Sequence, residues 1–310
     1  MGTPEFSVRI LSALHEKYGV TLVVTQPDKI VGRKKILTHS PVKEEALRLG
    51  IAVFQPTIIK EDYGRILEAQ PDIIITAAYG QIIPNEVIDY PKYGALNVHG
   101  SLLPLLRGGA PIQRAIMRMH NITGITIMYM VYKMDSGDII SQKSIPILPY
   151  DTSETLFEKL SVLGKELLLE TLPEVFSGTN KRIPQEPHLV TYAFNLTREE
   201  EKINWDLTME EIDAHLRAFT KEPGCYTTID GKILKVYEVE MMECGNFDQL
   251  HHNDPNGKIL KVFKNAIGVK CFNGVIKLKE VQLEGKNRQS VELFLSGAGR
   301  NLIAEQKQFK

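Results

Sequence analysis

The stretch PDIIITAAYG, residues 71–80, is followed by GALNVHG at 94–100, and these two runs decide the fold class. The first run is apolar on both faces, which is typical of a strand inside a parallel sheet. Comparable strands are predicted at 20–26, 51–56 and 124–131, with helices between them. Strands that alternate with helices favour right-handed crossovers and helices on both faces of the sheet. The first half of the chain is therefore predicted to be an α/β domain, Rossmann-like and mostly parallel.

The last third of the chain follows a different pattern. Residues 226–240 and 257–285 contain short alternating strands, which Asp-Gly and Asn-Gly turns interrupt. Several short strands joined in this way predict a small β-barrel, with an OB-like barrel as the leading form. The predicted organisation is an α/β domain at 1–180, a polar linker at 181–203 and a β-barrel domain at 204–310.

Composition limits the classes of function. The 310 residues suffice for two domains, and the formal net charge of −1 means that a nucleic-acid partner would need a local basic patch. Three cysteines without CxxC spacing indicate reduced thiols rather than a metal site or a disulfide. No apolar run approaches the roughly 18 residues of a membrane span. We expect a cytoplasmic monomer with no metal and no membrane contact.

Two polar side chains stand at the end of the predicted strand that begins at Ala95. Asn97 and His99 are two residues apart, so both point to one face of an extended chain. Asp135 lies just past the strand at 126–131, and ligands of α/β sheets bind beyond such carboxyl ends. A carboxylate orients an imidazole and favours its charged form, while an amide can hold an oxyanion. The three side chains suit acyl-type transfer through a tetrahedral intermediate.

A structural role for these residues is the alternative. A single histidine near a strand end is more often structural than catalytic. Asp135 lies in the sequence DSGD, whose residue types favour a turn without any catalytic role. On chemistry alone the two interpretations are evenly balanced. A nicotinamide enzyme, the third possibility from the fold, is disfavoured because no G-x-G-x-x-G follows an early strand.

Motifs along almost the whole chain resemble the methionyl-tRNA formyltransferase family, a branch of the folate-dependent formyltransferases. In the first half they include AAYGQIIP, LNVHGSLLP, RGGAPIQRAI, GITIMYMV and MDSGDII. The run TQPDKIVGRKK with the following SPVK, and TYAFNLTREEEKINW in the second half, indicate the tRNA enzyme rather than the wider group. The resemblance implies formyl transfer from 10-formyltetrahydrofolate to the α-amino group of methionyl initiator tRNA, for translation initiation.

The resemblance also assigns site residues. Asn97, His99 and Asp135 match the family's catalytic triad, which makes residues 1–180 the catalytic domain. The folate-binding residues that it implies are Ser101, Leu102, Leu103, Pro104, Tyr79, Gly80, Gln81 and Ile82. It further implies that a basic loop, made of Lys29, Arg33, Lys34 and Lys35, enters the acceptor stem of the tRNA.

A second basic patch is predicted in the barrel, from charge rather than from resemblance. Between residues 258 and 288, eight Lys and Arg stand against two Glu, which suits a phosphate backbone. The candidate tRNA-binding lysines there are Lys258, Lys261, Lys277 and Lys279. For each patch the alternative is a merely solvated surface.

Two departures from the family pattern matter. Leu105 and Leu106 stand where family members usually carry a basic and an aromatic residue, so a charge beside the folate or the tRNA is missing. The family also has an apolar strand just before the MGTPEF motif. We therefore expect a native start several residues upstream, with residues 1–3 at the carboxyl end of the sheet, beside an unfilled central strand position.

Two rival functions stay open. A binding-only protein would have the same shape and would hold tRNA without catalysis, although the complete triad argues against it. A formyltransferase for a sugar amine or a glycinamide nucleotide would need neither the basic loop at 29–35 nor the second domain.

Overall fold

The computed structural model of the chain describes residues 1–32, 35–220, 223–242 and 253–310. These residues form two compact units, each built from three pieces of chain. The first unit comprises Met1–Ile112, Asn121–Leu148 and Thr155–Asn195, and the second comprises Gln113–His120, Pro149–Glu154 and Leu196–Lys310.

The first half of the chain alternates helices and strands, as predicted. The helices are α1 (Val8–Tyr18), α2 (Pro41–Arg48), α3 (Gly64–Glu68), α4 (Asn85–Ile88), α5 (Pro111–Met117) and α6 (Ser153–Ser177). The strands are β1 (Leu22–Val24), β2 (Lys29–Val31), β3 (Ile36–Thr38), β4 (Ala52–Phe54), β5 (Ile74–Thr76), β6 (Ala95–His99), β7 (Ile122–Tyr129) and β8 (Ile139–Pro146). Ser40 caps α2 by accepting from the Lys43 amide, with Pro41 in the first turn, and the run SPVKEEALRLG at 40–50 predicts this helix start.

The sheet of this unit is mixed, which corrects the prediction of a mostly parallel one. β1 pairs with β4 and β5 pairs with β6 in parallel, but β7 runs antiparallel to both β6 and β8. β7 begins beside the carboxyl end of β6, where Thr126 lies opposite His99, and runs back toward the start of that strand. β2 and β3 form a separate hairpin.

The first two residues lie between β1 and β5. The Gly2 amide donates to the Val24 carbonyl over 3.1 Å, and the Ala77 amide donates to the Met1 carbonyl over 3.0 Å. Both contacts are at the carboxyl ends of the strands, where we expect residues 1–3. A cavity of about 500 Å³ extends from there and is lined by apolar side chains that include Leu11 and Val23.

The second unit contains an antiparallel sheet. Along the chain, one helix precedes its strands and another follows them. Its elements are α7 (Met209–Ala218), β9 (Cys225–Ile229), β10 (Lys232–Met241), β11 (Ile259–Val262), β12 (Ile267–Cys271), β13 (Gly274–Leu283), β14 (Gln289–Ser290) and α8 (Val291–Ser296). The strand order is β11-β12-β13-β10-β9, with β14 beside β13. Asp230 and Gly231 join β9 to β10 with φ of 49° and 76°, the geometry that a tight hairpin turn requires. The predicted β domain is confirmed, and its closure into a barrel stays a prediction.

Two features stabilise the segment that leads into α7. Thr208 and Glu211 form a capping box at α7, which the Thr-x-x-Glu spacing in the sequence predicts. The indole of Trp205, the only tryptophan of the chain, is buried and donates to the Thr227 hydroxyl over 3.1 Å. Within the described residues, none of the helices combines the length and apolar character that a membrane span requires.

Candidate active site

Asn97 and His99 stand at the carboxyl end of β6, where the sequence places them. The Asn97 side-chain oxygen accepts a hydrogen bond from the Thr76 hydroxyl of β5 over 2.8 Å. This contact orients the amide so that its nitrogen points toward Asp135, 3.4 Å from Oδ1. The neighbouring strand therefore decides which end of the Asn97 amide is the donor.

His99 is buried, and oxygen atoms face both of its ring nitrogens. Nε2 lies 3.0 Å from the Leu106 carbonyl oxygen, and Nδ1 lies 3.7 Å from Asp135 Oδ2, an ion-pair distance. Only the doubly protonated ring can donate toward both oxygens. Leu106 is 2% exposed with φ at 61°, so this departure from the family pattern is a buried side chain that orients the imidazole through its backbone.

Asp135 lies in the loop between β7 and β8, with its own backbone in the left-handed region at φ of 46°. Its Oδ2 accepts from the Gly108 amide over 2.8 Å. Its carbonyl accepts from the Gln185 side-chain nitrogen over 2.9 Å, and the same nitrogen donates to the Gly137 carbonyl over 2.8 Å. Contacts on both sides thus hold an unusual loop conformation and aim the carboxylate at His99.

Gly137 and Gly108 permit the close approaches that this loop needs. A Cβ on Gly137 would lie 1.9 Å from the Tyr129 carbonyl oxygen. Gly108 has φ of 128°, and a Cβ there would lie 2.5 Å from the Ala193 carbonyl oxygen. Each contact is far shorter than any side chain tolerates, so both backbones require glycine.

Gln185 and Arg107 are site residues that sequence reasoning missed. The buried Arg107 guanidinium donates twice to the Gln185 side-chain oxygen, over 2.7 and 3.0 Å, which fixes the amide that holds the Asp135 loop. Gln185 is 50 residues from Asp135 and lies in the predicted linker. No local pattern marks it, and the segment predicted as a linker supplies part of the site.

A cavity of about 670 Å³ opens in front of Asn97, His99 and Asp135. All four residues of the predicted folate wall at 79–82 line it: Tyr79, Gly80, Gln81 and Ile82. The Tyr79 hydroxyl is buried and has no hydrogen-bond partner among the residues that the structure describes. Burial raises the pKa of this phenol to about 12, so the group stays a hydrogen-bond donor at neutral pH.

The other predicted folate residues are Ser101, Leu102, Leu103 and Pro104, which come directly after β6 and Gly100. Ser101 and Leu103 are buried, Leu102 and Pro104 are half-buried, and within the described parts of the chain none of the four lines the cavity. The Ser101 hydroxyl donates to the Leu105 carbonyl over 2.6 Å, and the Leu103 amide donates to the Thr126 hydroxyl over 3.0 Å. These bonds brace the loop that carries Leu106. Direct contact of residues 101–104 with a folate stays a prediction.

Two residues of the predicted basic loop are described: Lys29 begins β2, and Lys35 directly precedes β3, with which β2 forms a hairpin. Lys29 and Lys35 are exposed. Arg33 and Lys34 lie outside the described residues, so their predicted contact with tRNA stays a prediction.

Most of the candidate lysines in the second unit are paired with carboxylates. Lys277 and Lys279 lie 2.8 and 3.4 Å from the two carboxylate oxygens of Glu240, and the hydrogen bond from Lys277 lowers the pKa of that carboxyl. Lys258 pairs with Asp254 over 2.5 Å. Lys261 is exposed and lies 5.5 Å from the centre of the Phe263 ring. Since Glu240 and Asp254 stand outside residues 258–288, counting charges along that segment overstated the positive surface.

Metal-ligating groups and thiols are the other side chains that could carry chemistry. Within the described ranges, no group of three or more His, Cys, Asp or Glu side chains has an arrangement that could hold a metal ion. Cys225 and Cys271 are buried free thiols, and burial raises the pKa of each. Cys244 lies outside the described residues.

The chain matches two family models. One, described as formyl transferase, covers residues 1–172, and the other, described as formyl transferase, C-terminal domain, covers residues 195–299. A methionyl-tRNA formyltransferase of Geobacillus sp. (strain WCH70) is 47% identical over 311 residues, 99% of this chain and 96% of that protein. One of Macrococcus caseolyticus (strain JCSC5402) is 44% identical over 305 residues, 98% of this chain and 96% of that protein.

Solved structures share the fold at lower identity. An N-formyltransferase of Helicobacter canadensis, in complex with folinic acid and dTDP-3-aminofucose, matches with a TM-score of 0.65 and 20% identity, over 89% of this chain and 96% of that chain. HypX of Aquifex aeolicus in complex with tetrahydrofolic acid matches with a TM-score of 0.60 and 17% identity, over 86% of this chain and 48% of that chain. These likenesses concern the fold alone. By its sequence relatives and both domain matches, the chain belongs to the methionyl-tRNA formyltransferase family.

Proposed function

We propose that this chain transfers the formyl group of 10-formyltetrahydrofolate to the α-amino group of methionyl initiator tRNA, with Asn97, His99 and Asp135 as the reacting groups. The observation that supports this most is that the three side chains meet in one cavity. The cavity volume of about 670 Å³ is within the usual range for small-molecule sites.

The reaction needs an oxyanion site and a path for one proton. The amine nitrogen attacks the formyl carbon, a C–N bond forms, and the carbonyl oxygen becomes an oxyanion. Asn97 donates from Nδ2 and the imidazolium of His99 adds positive charge beside that oxygen. The bond from the formyl carbon to the folate nitrogen then breaks. That nitrogen takes up a proton, and the amine gives one up, through water.

Asp135 acts on the reaction through His99. Its carboxylate faces Nδ1, so it holds the ring orientation and stabilises the positive charge on the imidazolium. Because the Gly108 amide already occupies Oδ2, the carboxylate is fixed in place before any substrate arrives. No protein nucleophile is required, since the amine itself attacks.

Tyr79 supplies a contact for the folate substrate in the wall of the same cavity. A buried hydroxyl without a partner carries a cost of about 1–3 kcal/mol, which a ligand that accepts its hydrogen bond removes. Tyr79 lines the cavity with Gly80, Gln81 and Ile82. We assign these four residues to folate binding, and we assign Ser101, Leu102, Leu103 and Pro104 to it as well.

The tRNA would be held at two places. The hairpin of β2 and β3 presents Lys29 and Lys35 and carries Arg33 and Lys34 between its strands, a local cationic loop in a chain of net charge −1. In the second unit we assign Lys261, together with the paired Lys258, Lys277 and Lys279, to phosphate contacts on an OB-like barrel. The chain would act as a cytoplasmic monomer.

The decisive experiment compares acceptors. Formyl transfer from 10-formyltetrahydrofolate is measured with methionyl initiator tRNA, elongator methionyl-tRNA, free methionine and an amino sugar. Strong preference for the initiator tRNA, with turnover lowered about a hundredfold or more in His99→Ala, supports the proposal. Transfer to the amino sugar instead, or binding of tRNA without any transfer, would replace it with one of the rival functions.

A further inference from the structure

The hairpin of β2 and β3 receives little support from its own side chains. Its two strands pair over three residues each, and they form a two-stranded sheet of their own. Ile30, Ile36 and Leu37 are 67%, 59% and 61% exposed. An isolated two-stranded hairpin is marginally stable in water at best. Its direction must therefore be set where it joins the rest of the first unit.

At that junction one carboxylate connects both ends of the hairpin to the first unit. Asp28 directly precedes β2, and His39 directly follows β3. Asp28 Oδ2 lies 3.0 Å from His39 Nδ1 and 2.6 Å from the Lys43 ammonium on α2. Asp28 Oδ1 accepts from the Gln55 side-chain nitrogen over 2.9 Å. Both carboxylate oxygens are thus in use, and their donors come from three separate places in the chain.

The surrounding contacts make this junction rigid. The Gln55 nitrogen that reaches Asp28 also lies 2.8 Å from the Gln26 carbonyl oxygen. Ser40, which caps α2, shares a hydrogen bond of 2.8 Å with the Thr25 hydroxyl. The Asp28 and Lys43 side chains are each only 16% exposed, so solvent screens their attraction less than it does at an open surface. The hydrogen bonds from Lys43 and Gln55 lower the pKa of Asp28 to about 2, so the carboxylate is charged at any working pH.

We infer that Asp28 is a positioning residue for tRNA: it fixes the direction of the β2–β3 hairpin and so the place at which the basic loop meets the nucleic acid. The inference rests on the proposed function, because the direction of the hairpin affects the reaction only if the hairpin binds a tRNA substrate. Asp28 lies outside the wall of the catalytic cavity, so its contribution concerns the KM for tRNA and leaves the chemical step unchanged.

Asparagine at this position tests the idea. Asp28→Asn retains the size of the side chain but has one acceptor oxygen instead of two. Its NH2 group then faces either the Lys43 ammonium or the Gln55 amide, which are both donors, so one of these contacts is lost. The matched control is Glu45→Gln on α2. Hydrogen bonds from Arg48 and Ser12 hold the pKa of Glu45 at about 2 as well. Within the described chain, the side-chain partners of Glu45 are these two residues and include neither Asp28 nor His39.

Steady-state kinetics and amide hydrogen exchange are measured for both variants and for the unmodified chain. In Asp28→Asn we expect the KM for methionyl initiator tRNA to rise about tenfold or more, with kcat and the KM for 10-formyltetrahydrofolate within about twofold. Exchange of the amides of residues 29–38 should accelerate, since hairpin opening becomes easier. Glu45→Gln should alter neither the KM for tRNA nor the exchange of these amides.

A second comparison separates the contact from a general loss of fold. Lys43→Gln should raise the KM for tRNA less than Asp28→Asn, and the double variant should be no worse than Asp28→Asn alone, because the two groups act as a pair. An unchanged KM for tRNA, unchanged exchange at 29–38, or an equal loss in Glu45→Gln would overturn the inference. An unmodified chain that does not formylate methionyl initiator tRNA would overturn the proposed function itself, whereas the exchange data would still report whether Asp28 anchors the hairpin.

Discussion

Replacing Asp135 by asparagine removes one negative charge from the site and leaves its shape almost unchanged. The residue has φ of 46°, a conformation that asparagine tolerates better than alanine does. The asparagine oxygen can still accept the hydrogen bond from the Gly108 amide. Asp135→Asn therefore removes the charge at the expense of one acceptor, because its NH2 group then faces the Asn97 amide nitrogen. Asp135→Ala would remove both acceptors and also strain the loop.

The geometry sets the size of the effect. His99 Nδ1 lies 3.7 Å from Asp135 Oδ2. Two unit charges at that separation attract each other by about 4 kcal/mol at an effective dielectric constant of about 20. Loss of the whole attraction in the transition state corresponds to roughly a thousandfold lower rate. Because the amide still orients the ring in part, we expect a loss of between about a hundredfold and a thousandfold.

Single-turnover formyl transfer to methionyl initiator tRNA measures this loss at saturating 10-formyltetrahydrofolate. Thermal unfolding, followed in parallel, should show a midpoint close to that of the unmodified chain. The control is Asp138→Asn, three residues further along the same loop, whose carboxylate pairs with Arg182 over 3.2 Å. We expect that control to retain its activity. A rate for Asp135→Asn within about tenfold of normal, or an equal loss in the control, would refute the assigned role.

Three further changes have defined outcomes. Gly137→Ala forces a Cβ against the Tyr129 carbonyl, so it should cost about 1–3 kcal/mol in the free energy of unfolding and strongly reduce turnover, as denaturant titration and kinetics would show. Burial lowers the pKa of His215, so its unfolded form binds a proton more readily as pH falls below about 6.5. The second unit should therefore lose stability between pH 7 and 5, read from Trp205 fluorescence, and His215→Gln should reduce that loss. Arg33→Ala should raise the KM for tRNA while leaving the KM for folate unchanged, and equal effects on both would contradict the assignment of this loop.

The features that sequence predicted best are those that depend on neighbours a few residues away. The cap at Ser40, the capping box at Thr208 and the turn at Asp230 each join groups within four residues. Turn and capping propensities, and the hydrogen bonds that act over so few residues, can be recognised from the sequence itself. The placement of Asn97 and His99 could be predicted for a related reason, because the two side chains share a face of one strand.

The direction of the strands could not be predicted from the sequence in the same way. Whether β7 runs parallel or antiparallel to β6 depends on the path of the connecting segment, and alternation of strands with helices constrains that path only loosely. β8 was missed because the polar residues in IISQKSIP break the apolar pattern. Antiparallel strands with one solvated face have such mixed sequences.

The supports of the site and the pairing of surface charge also escaped prediction. Gln185 and Asp135 are 50 residues apart, and Lys277 and Glu240 are 37 residues apart. Contacts at such separations follow from tertiary packing, which one sequence does not reveal. The proximity of Asn97, His99 and Asp135 was predicted from the sequence, while the groups that hold them in place were found only in the fold.

The discontinuous second unit bears on how the chain is made. Arg114, from one of its early pieces, pairs with Glu200, 86 residues further on, with Nη2 2.9 Å from Oε2. At a synthesis rate of about 5–20 residues per second, this ion pair cannot form until roughly 4–17 s after Arg114 has been incorporated. The Arg217 guanidinium likewise donates to the Asp151 carbonyl over 2.8 Å, so a second early piece also waits for late sequence. A fragment that begins at residue 196 would lack both pieces, and supplying them on a separate polypeptide would turn an intramolecular step of folding into a bimolecular one.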